Sequence, residues 1–359
     1  MIKTINFYGT AGAGQGYSGA TEQTAIALER RADVDLHSIA FSKTPKANIS
    51  SALDEIKSKP FKLGEVGIAY GFPSSFTSTF INDFKVGYTM FETDKLPTGK
   101  DWAGEDEDAP KLINRELDLL LVPCEHNKEL FKNSGVTIPI EVVPCGINPE
   151  LFPYYERPER KTFTFFMYGT LTLRKNPGMV ISAFANLFKD NPDVKLVLKT
   201  QSGTLGHVEY VDMGDITVID SLWTVERLNE ELRNVDCMVF PSRGEGFGIP
   251  PLEAMATGLP TIIADNTGMS EYADPGYNFV VSTEKTAPAQ RYPQKWGDVG
   301  NWYEPSYTEL KAMMKWVYEN RQVAKEIGKD ASAWVHKNWT YDNTAEKMIE
   351  AIKKHYKHW

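Results

Sequence analysis

Apolar strand-like runs alternate with helix-length amphipathic segments along the whole chain, and this rhythm leaves few folds open. The first half offers strands near 2–8, 34–41, 66–70, 85–90, 118–122 and 140–143, with helices between them such as 19–30 and 110–117. The second half offers strands near 162–168, 194–199, 216–219, 236–240, 260–264 and 278–281, again with helical patterns between. After Asn176-Pro177, apolar residues fall at Val180, Phe184, Leu187 and Phe188, one face of a helix. Asn176 is its expected N-cap and Pro177 its first residue. Strands alternating with helices imply an α/β chain of parallel, doubly wound sheets.

The rhythm breaks once, at Pro153–Lys161, a polar stretch with two prolines and no periodicity that reads as a linker. Two domains follow, which also suits 359 residues at about 150 residues per domain. The expected organisation is a Rossmann-like domain over 1–152, a linker over 153–162, and a second such domain over 163–335. Residues 336–359 would form a helix crossing back to the first domain. In such sheets ligands sit at the carboxyl ends of the strands, so two domains of this kind are expected to face a central cleft.

Charge narrows the function classes. Lys plus Arg number 39 against 48 Asp plus Glu, a net charge of −9, which argues against a nucleic-acid binder. No run approaches 18 apolar residues, and the N-terminus has no long apolar segment, so neither a membrane span nor a secretory signal is expected. Cys124, Cys145 and Cys237 lie far apart without Cys-x-x-Cys spacing, so they read as buried free thiols of a reducing compartment rather than zinc ligands. The run Glu105-Asp106-Glu107-Asp108 contains Asp-x-Asp, but no strand leads into it and it reads as a solvated loop.

The glycine-rich stretch Gly9-Thr10-Ala11-Gly12-Ala13-Gly14-Gln15-Gly16-Tyr17-Ser18-Gly19 contains the G-x-G-x-x-G spacing of dinucleotide-binding turns. The acidic residue that should close the second strand is missing, since that strand ends Phe41-Ser42-Lys43. NAD is therefore not the expected ligand. What remains is a backbone that lets a phosphate or substrate approach closely, at Gly14 and Gly16, before a helix N-terminus that favours anions.

The most informative stretch runs from Pro241 to Gly258. It follows the apolar strand at 236–240, and Pro250 and Pro251 suit the opening of a helix that Gly258 ends. Glu245 is then in a loop at a strand's carboxyl end, and Glu253 in the first turn of the next helix. The two prolines donate no N–H, so an anion there would be held by the backbone of Phe247, Gly248, Ile249 or Leu252. Paired carboxylates also suit a glycosidase acid/base pair, a reading that depends on their separation and stays open.

Glu245-x7-Glu253, set in Glu-Gly-Phe-Gly-Ile-Pro-Pro-Leu-Glu-Ala-Met-Ala, resembles the E-x7-E signature of GT-B retaining glycosyltransferases of the family-4 type, the glycosyl transferases group 1. Met167–Lys175 resembles the strand and loop that open the family's nucleotide-binding domain, and Val143–Phe152 the segment that ends its acceptor domain. The resemblance implies the GT-B fold, with two Rossmann-like domains, and transfer of a sugar from a nucleotide-diphosphate donor with retention of configuration.

By the same resemblance, Glu253 would accept the ribose hydroxyls. Glu245 would hold the donor sugar's hydroxyls, with the backbone of Gly246, Phe247, Gly248 and Ile249 beside it. Lys175 would neutralise the departing diphosphate, a role for a compact charge. Thr170 stands where the family carries an arginine, and Arg174 could supply the missing guanidinium. Gly14 and Gly16 would face the diphosphate, and Trp223 would lie near the base. On the acceptor side many relatives carry a histidine where this chain has Tyr88–Pro97, and Glu92 with Thr93 is the expected substitute. No metal and no cofactor is expected.

The implied partners are a UDP-, GDP- or ADP-sugar and a glycan, lipid or small-molecule acceptor; no oligomeric state is implied. The chain would be cytoplasmic. The basic tail 353–359 could touch an anionic inner membrane face, though a final helix with a solvated lysine face is the simpler expectation. The rivals are an epimerase or hydrolase of the same fold, and a catalytically silent sugar-nucleotide-binding subunit. Intact Glu245, Glu253 and Lys175 argue against silence.

Overall fold

A computed structural model of the chain describes residues 3–11, 16–43, 50–76, 81–99, 102, 108–201 and 210–359. Gly14 and Glu105–Glu107 lie outside them. The chain divides into two compact units: unit 1 holds residues 1–146, 292–300 and 339–359, and unit 2 holds 147–291 and 301–338.

Unit 1 is built on six strands: β1 (Lys3–Ala11), β2 (Val34–Lys43), β3 (Val66–Tyr70), β4 (Phe84–Tyr88), β5 (Leu119–Val122) and β6 (Ile140–Val142). They are parallel in the order β2-β1-β3-β4-β5-β6. Helices α1 (Tyr17–Glu29), α2 (Ser51–Ser58), α3 (Ala109–Glu116) and α4 (Glu125–Asn133) connect them. All of β3 and β5 is buried, as expected of parallel strands covered on both faces, which is why they read as unbroken apolar runs. Asp108, the last of the acidic run, caps α3 by accepting from the Lys111 N–H at 3.0 Å.

Unit 2 carries β7 (Phe163–Tyr168), β8 (Val194–Thr200), β9 (Tyr210–Asp212), β10 (Ile216–Asp220), β11 (Cys237–Phe240), β12 (Thr261–Ala264) and β13 (Phe279–Val281). Their order is β13-β12-β11-β7-β8-β10-β9, parallel except for β9. A separate antiparallel hairpin, β14 (Thr283–Pro288) and β15 (Asn301–Pro305), follows. Sequence periodicity misses β9 and this hairpin, whose β14 strand is polar and largely exposed. The helices of this unit are α5 (Pro177–Phe188), α6 (Val225–Asn234), α7 (Ile249–Ala256), α8 (Tyr307–Glu319) and α9 (Arg321–Asn338).

The last helix, α10 (Tyr341–His355), belongs to unit 1. A capping box between Thr340 and Asn343 starts it, and the Thr344 hydroxyl donates to the Pro144 carbonyl at 2.8 Å. Its basic end is held by carboxylates: Lys353 lies 3.1 Å from Asp33, and Lys354 and His355 lie 2.7 and 2.6 Å from Glu141. No helix among the described residues is long and apolar enough to cross a membrane.

Three local expectations are refined. Asn176 does stand before α5, but in a left-handed conformation (φ 63°) without a side-chain cap; its amide donates to Met179 Sδ at 3.4 Å instead. α7 begins at Ile249 after left-handed Gly248, so Glu253 is its fifth residue and lies in the second turn, not the first. The polar stretch 153–161 carries no regular element, yet Arg157 within it is buried. Its guanidinium donates to the carbonyls of Gly258, Leu232, Val235 and Thr257 and to the Thr257 hydroxyl, at 2.8–3.1 Å. Cys124, Cys145 and Cys237 are buried free thiols.

Candidate functional site

β7 and β11 are neighbours in the sheet of unit 2, so the loops leaving their carboxyl ends meet. The loop after β7 carries Thr170, Arg174 and Lys175; the loop after β11 carries Ser242 to Gly248. Backbone bonding locks the two together, with the Arg243 N–H on the Arg174 carbonyl at 2.8 Å. The Arg174 guanidinium also donates to the Gly244 carbonyl.

Glu245 sits at this junction, 5% exposed. Lys175 Nζ lies 2.8 and 2.9 Å from its two carboxylate oxygens, Arg174 Nη1 lies at 3.0 Å, and the Ser242 hydroxyl donates at 2.6 Å. Burial alone would raise its pKa, but the two cations and the hydrogen bonds prevail and hold it down to about 2. Glu245 is thus a permanently ionised acceptor, and Lys175, itself buried and 4.7 Å over the Phe240 ring, is aimed at it.

A second wall fixes the backbone. The Glu245 N–H donates to the Thr267 hydroxyl at 2.8 Å, and the Gly268 N–H donates to the Glu245 carbonyl at 3.0 Å. Gly268 has no room for a Cβ, which would overlap Phe247 Cα and the Gly246 carbonyl. Gly248, at φ +93°, faces the Tyr272 hydroxyl, which donates to its carbonyl at 2.5 Å. Phe247 packs its ring 5.6 Å from Tyr272 and is buried, so only its backbone can face a ligand. Gly246 and Ile249 are half-buried beside it.

Glu253 projects from α7 toward the end of β7, where the Tyr168 hydroxyl donates to its Oε2 at 2.7 Å. The same hydroxyl lies 2.8 Å from the Pro250 carbonyl. Burial pushes the Glu253 carboxyl up to about 8, and the single tyrosine bond offsets little of that. One glutamate is held charged and the other held protonated, a few residues apart. Environment, not residue type, separates them.

The structure brings together Arg174, Lys175, Glu245 and the 246–249 backbone, with Glu253 one helix segment further. Thr170 is exposed beside them. Trp223 stands in the loop between β10 and α6, with Lys199 Nζ 5.3 Å and the Arg227 guanidinium 4.9 Å from its ring. In unit 1, Gly16 precedes α1 at φ +73°, and among the described residues nothing lies within 4 Å of where a Cβ would stand. Glu92 accepts from the Tyr292 hydroxyl at 3.2 Å, while Thr93 is fully buried and spends its hydroxyl on the carbonyls of Val299 and Lys95.

Sequence reasoning missed Tyr168, Ser242, Thr267 and Lys199. The first two lie inside the stretches that carry the motif, where a tyrosine closing a strand and a serine three residues before Glu245 were the available signals. Lys199 carried one too, a lysine in the apolar run Val194–Thr200. It is fully buried, its ammonium lacks a hydrogen-bond partner among the described residues, and burial brings its pKa down to about 8 against the pull of Asp220.

Known proteins resemble this chain in part of its sequence and in fold. Residues 153–292 match the family described as glycosyl transferases group 1. Among curated relatives, a D-inositol 3-phosphate glycosyltransferase of Paenarthrobacter aurescens is 23% identical over 69% of this chain and 60% of its own length. An Escherichia coli UDP-Gal:alpha-D-GlcNAc-diphosphoundecaprenol alpha-1,3-galactosyltransferase is 27% identical over 44% of this chain and 47% of its own. The matched part of the chain thus spans roughly half the length of such relatives. Among solved structures, sucrose-phosphate synthase of Thermosynechococcus elongatus superposes with a TM-score of 0.68 at 16% identity over 99% of this chain and all of that one. Anabaena HepE, solved in complex with UDP-glucose, gives 0.65 at 14% identity over 98% and 100%. The chain has the GT-B fold, and its residues 153–292 are similar to the glycosyl transferases group 1.

Proposed function

We propose that this chain moves a sugar from a nucleotide-diphosphate donor to an acceptor hydroxyl, with retention of configuration. The observation that carries the reading is the ionised, immobilised Glu245 between Lys175 and Arg174. A carboxylate fixed in this way accepts hydrogen bonds from sugar hydroxyls, and the two cations beside it stabilise the charge that grows on a departing diphosphate. Because all three are held by neighbouring bonds before any ligand arrives, little reorganisation is needed at the moment of reaction.

Glu253, fixed by Tyr168, is in this reading the acceptor for the ribose hydroxyls, and Trp223 lies toward the base. Arg174 takes the part of the guanidinium that relatives carry where this chain has Thr170. The leaving group departs as a nucleoside diphosphate, the acceptor oxygen forms the new glycosidic bond on the same face, and the acceptor proton goes to the departing phosphate oxygen. No protein nucleophile and no divalent metal enter this scheme.

Similarity supports the donor class, since HepE was solved with UDP and with UDP-glucose. The test is release of nucleoside diphosphate from UDP-, GDP- and ADP-sugars, with the anomeric configuration of the product read by NMR. Wild type should turn over one donor with retention, and Glu245→Ala should lose activity by about 10²-fold or more. Failure of all three nucleotides to bind overturns the reading.

A further inference from the structure

Unit 1 contains a segment that no strand or helix of its own sheet supplies. Residues 292–300 leave the β14–β15 hairpin and lie along residues 91–99. The Gly99 N–H donates to the Trp296 carbonyl at 2.8 Å, the Thr98 N–H to the Asp298 carbonyl at 3.2 Å, and the Thr93 hydroxyl to the Val299 carbonyl at 2.6 Å. Lys95 pairs with Asp298 at 2.7 Å. Gly99, Gly297 and Gly300 stand where a Cβ would overlap the facing segment, so the two stretches fit face to face.

This fit gathers aromatic rings, one of which is bonded to a carboxylate. Tyr292 and Trp296 have centroids 5.9 Å apart with planes inclined by 29°, and Trp296 meets Phe72 at 6.2 Å. Phe72 is 47% exposed and packs 5.4 Å from Tyr17, the first residue of α1. Glu92, half-buried, accepts from the Tyr292 hydroxyl. Buried Phe91 backs both Tyr292 and Trp296, at 6.0 and 6.1 Å. Phe72 is exposed and Tyr292 and Trp296 are half-buried, so the braced cluster still presents ring surface to solvent.

Resting on the transferase reading above, we propose that Phe72, Tyr292, Trp296 and Glu92 form a subsite for a neutral sugar ring of the acceptor. A pyranose presents an apolar face of C–H groups to aromatic rings and hydroxyls to a carboxylate, which is the combination assembled here. The two facing segments carry three carboxylates, Glu92, Asp94 and Asp298, against two lysines, Lys95 and Lys295, which disfavours a phosphorylated acceptor. A lipid surface would need the rings but not the half-buried tyrosine–glutamate pair.

The test is saturation-transfer NMR on the full chain with methyl glycosides of glucose, mannose, galactose and N-acetylglucosamine, and with glucose 6-phosphate and mannose 6-phosphate. At least one neutral glycoside should receive saturation, strongest on its ring C–H protons. Trp296→Ala should weaken that binding about tenfold, and Tyr292→Phe, which keeps the ring and removes only the hydroxyl, about threefold. The inference is overturned if no neutral glycoside is bound, if the phosphorylated sugars bind more tightly, or if Trp296→Ala binds as wild type does. Thermal shifts with UDP, GDP and ADP on the same samples report folding and the donor site. Intact nucleotide shifts without sugar binding sink this inference alone; no nucleotide shift in wild type sinks the transferase reading.

Discussion

Tyr168 and Glu253 form a hydrogen bond of 2.7 Å between the last residue of β7 and the second turn of α7, and the carboxyl it reaches is held near pKa 8. At neutral pH the unliganded protein therefore keeps most of this group protonated. If ribose hydroxyls donate to it, the ionised form is favoured, the pKa falls on binding, and a proton is released. Nucleoside diphosphate affinity should rise between pH 6 and 8, and calorimetry in buffers of different ionisation enthalpy should show proton release near pH 7. Glu253→Gln should bind more weakly and show neither effect.

The same carboxyl makes a stability prediction of definite sign. Its folded pKa is raised above the unfolded value of 4.5, so its contribution is fully present below 4.5 and is lost as pH rises through about 8. Glu253→Gln should flatten the decline of the melting temperature over that window. An unchanged slope would mean the group is not buried as described.

Glu245 titrates the opposite way. Its folded pKa is depressed to about 2, so its stabilisation is present above 4.5 and lost as pH falls from 4.5 toward 2. Lys175→Met removes one of its two cationic partners and should cost about 3 kcal/mol of stability in denaturant titration, with a loss of about 10²–10³ in kcat. Paired substitution Lys175→Met with Glu245→Gln should recover much of the stability and none of the activity, which separates packing from chemistry.

Gly268 is predicted to be intolerant of a single methyl. Gly268→Ala would press on Phe247 Cα and the Gly246 carbonyl and shift the Glu245 loop. A loss of about 1–3 kcal/mol is expected, measured by thermal melting, together with a lower kcat. Gly16→Ala meets no atom within 4 Å among the described residues but carries the cost of its positive φ, about 1 kcal/mol, and should leave Glu245 undisturbed.

Arg157→Met should destabilise by about 3 kcal/mol or more, because four carbonyls and one hydroxyl in unit 2 lose their donor at once. Arg157→Lys should recover only part of that, since an ammonium cannot span the fork of acceptors. Equal stability of wild type and Arg157→Met, in urea unfolding, would contradict the placement of this side chain.

Most of the central sheets was legible because buried parallel strands are continuous apolar runs; Leu119–Val122 and Cys237–Phe240 are examples. Glu245 and Glu253 were legible from their spacing. What escaped is set by tertiary contact. β14, Thr283–Pro288, alternates no apolar face because its ladder is exposed, so nothing in its composition announces a strand. Arg157 looked like a solvated residue of a polar stretch because its acceptors lie between 75 and 101 residues away in sequence. Two prolines suggested where α7 opens, but the turn made by Gly248 starts the helix one residue earlier and moves Glu253 into the second turn. Tyr168 could be seen; its partner could not.

The position of residues 292–300 bears on how relatives of this chain can be recombined. These nine residues belong to unit 1, yet they are encoded after most of unit 2, more than 190 residues beyond Glu92. A chimera cut at a single crossover near residue 147 would join the 91–99 loop of one parent to the 292–300 segment of the other. Gly99 and Gly300 would then face unmatched side chains, and the hybrid would fail at its seam while each sheet remained sound. Crossover points for such exchanges therefore have to be chosen in fours, with residues 292–300 and 339–359 both travelling alongside the N-terminal segment.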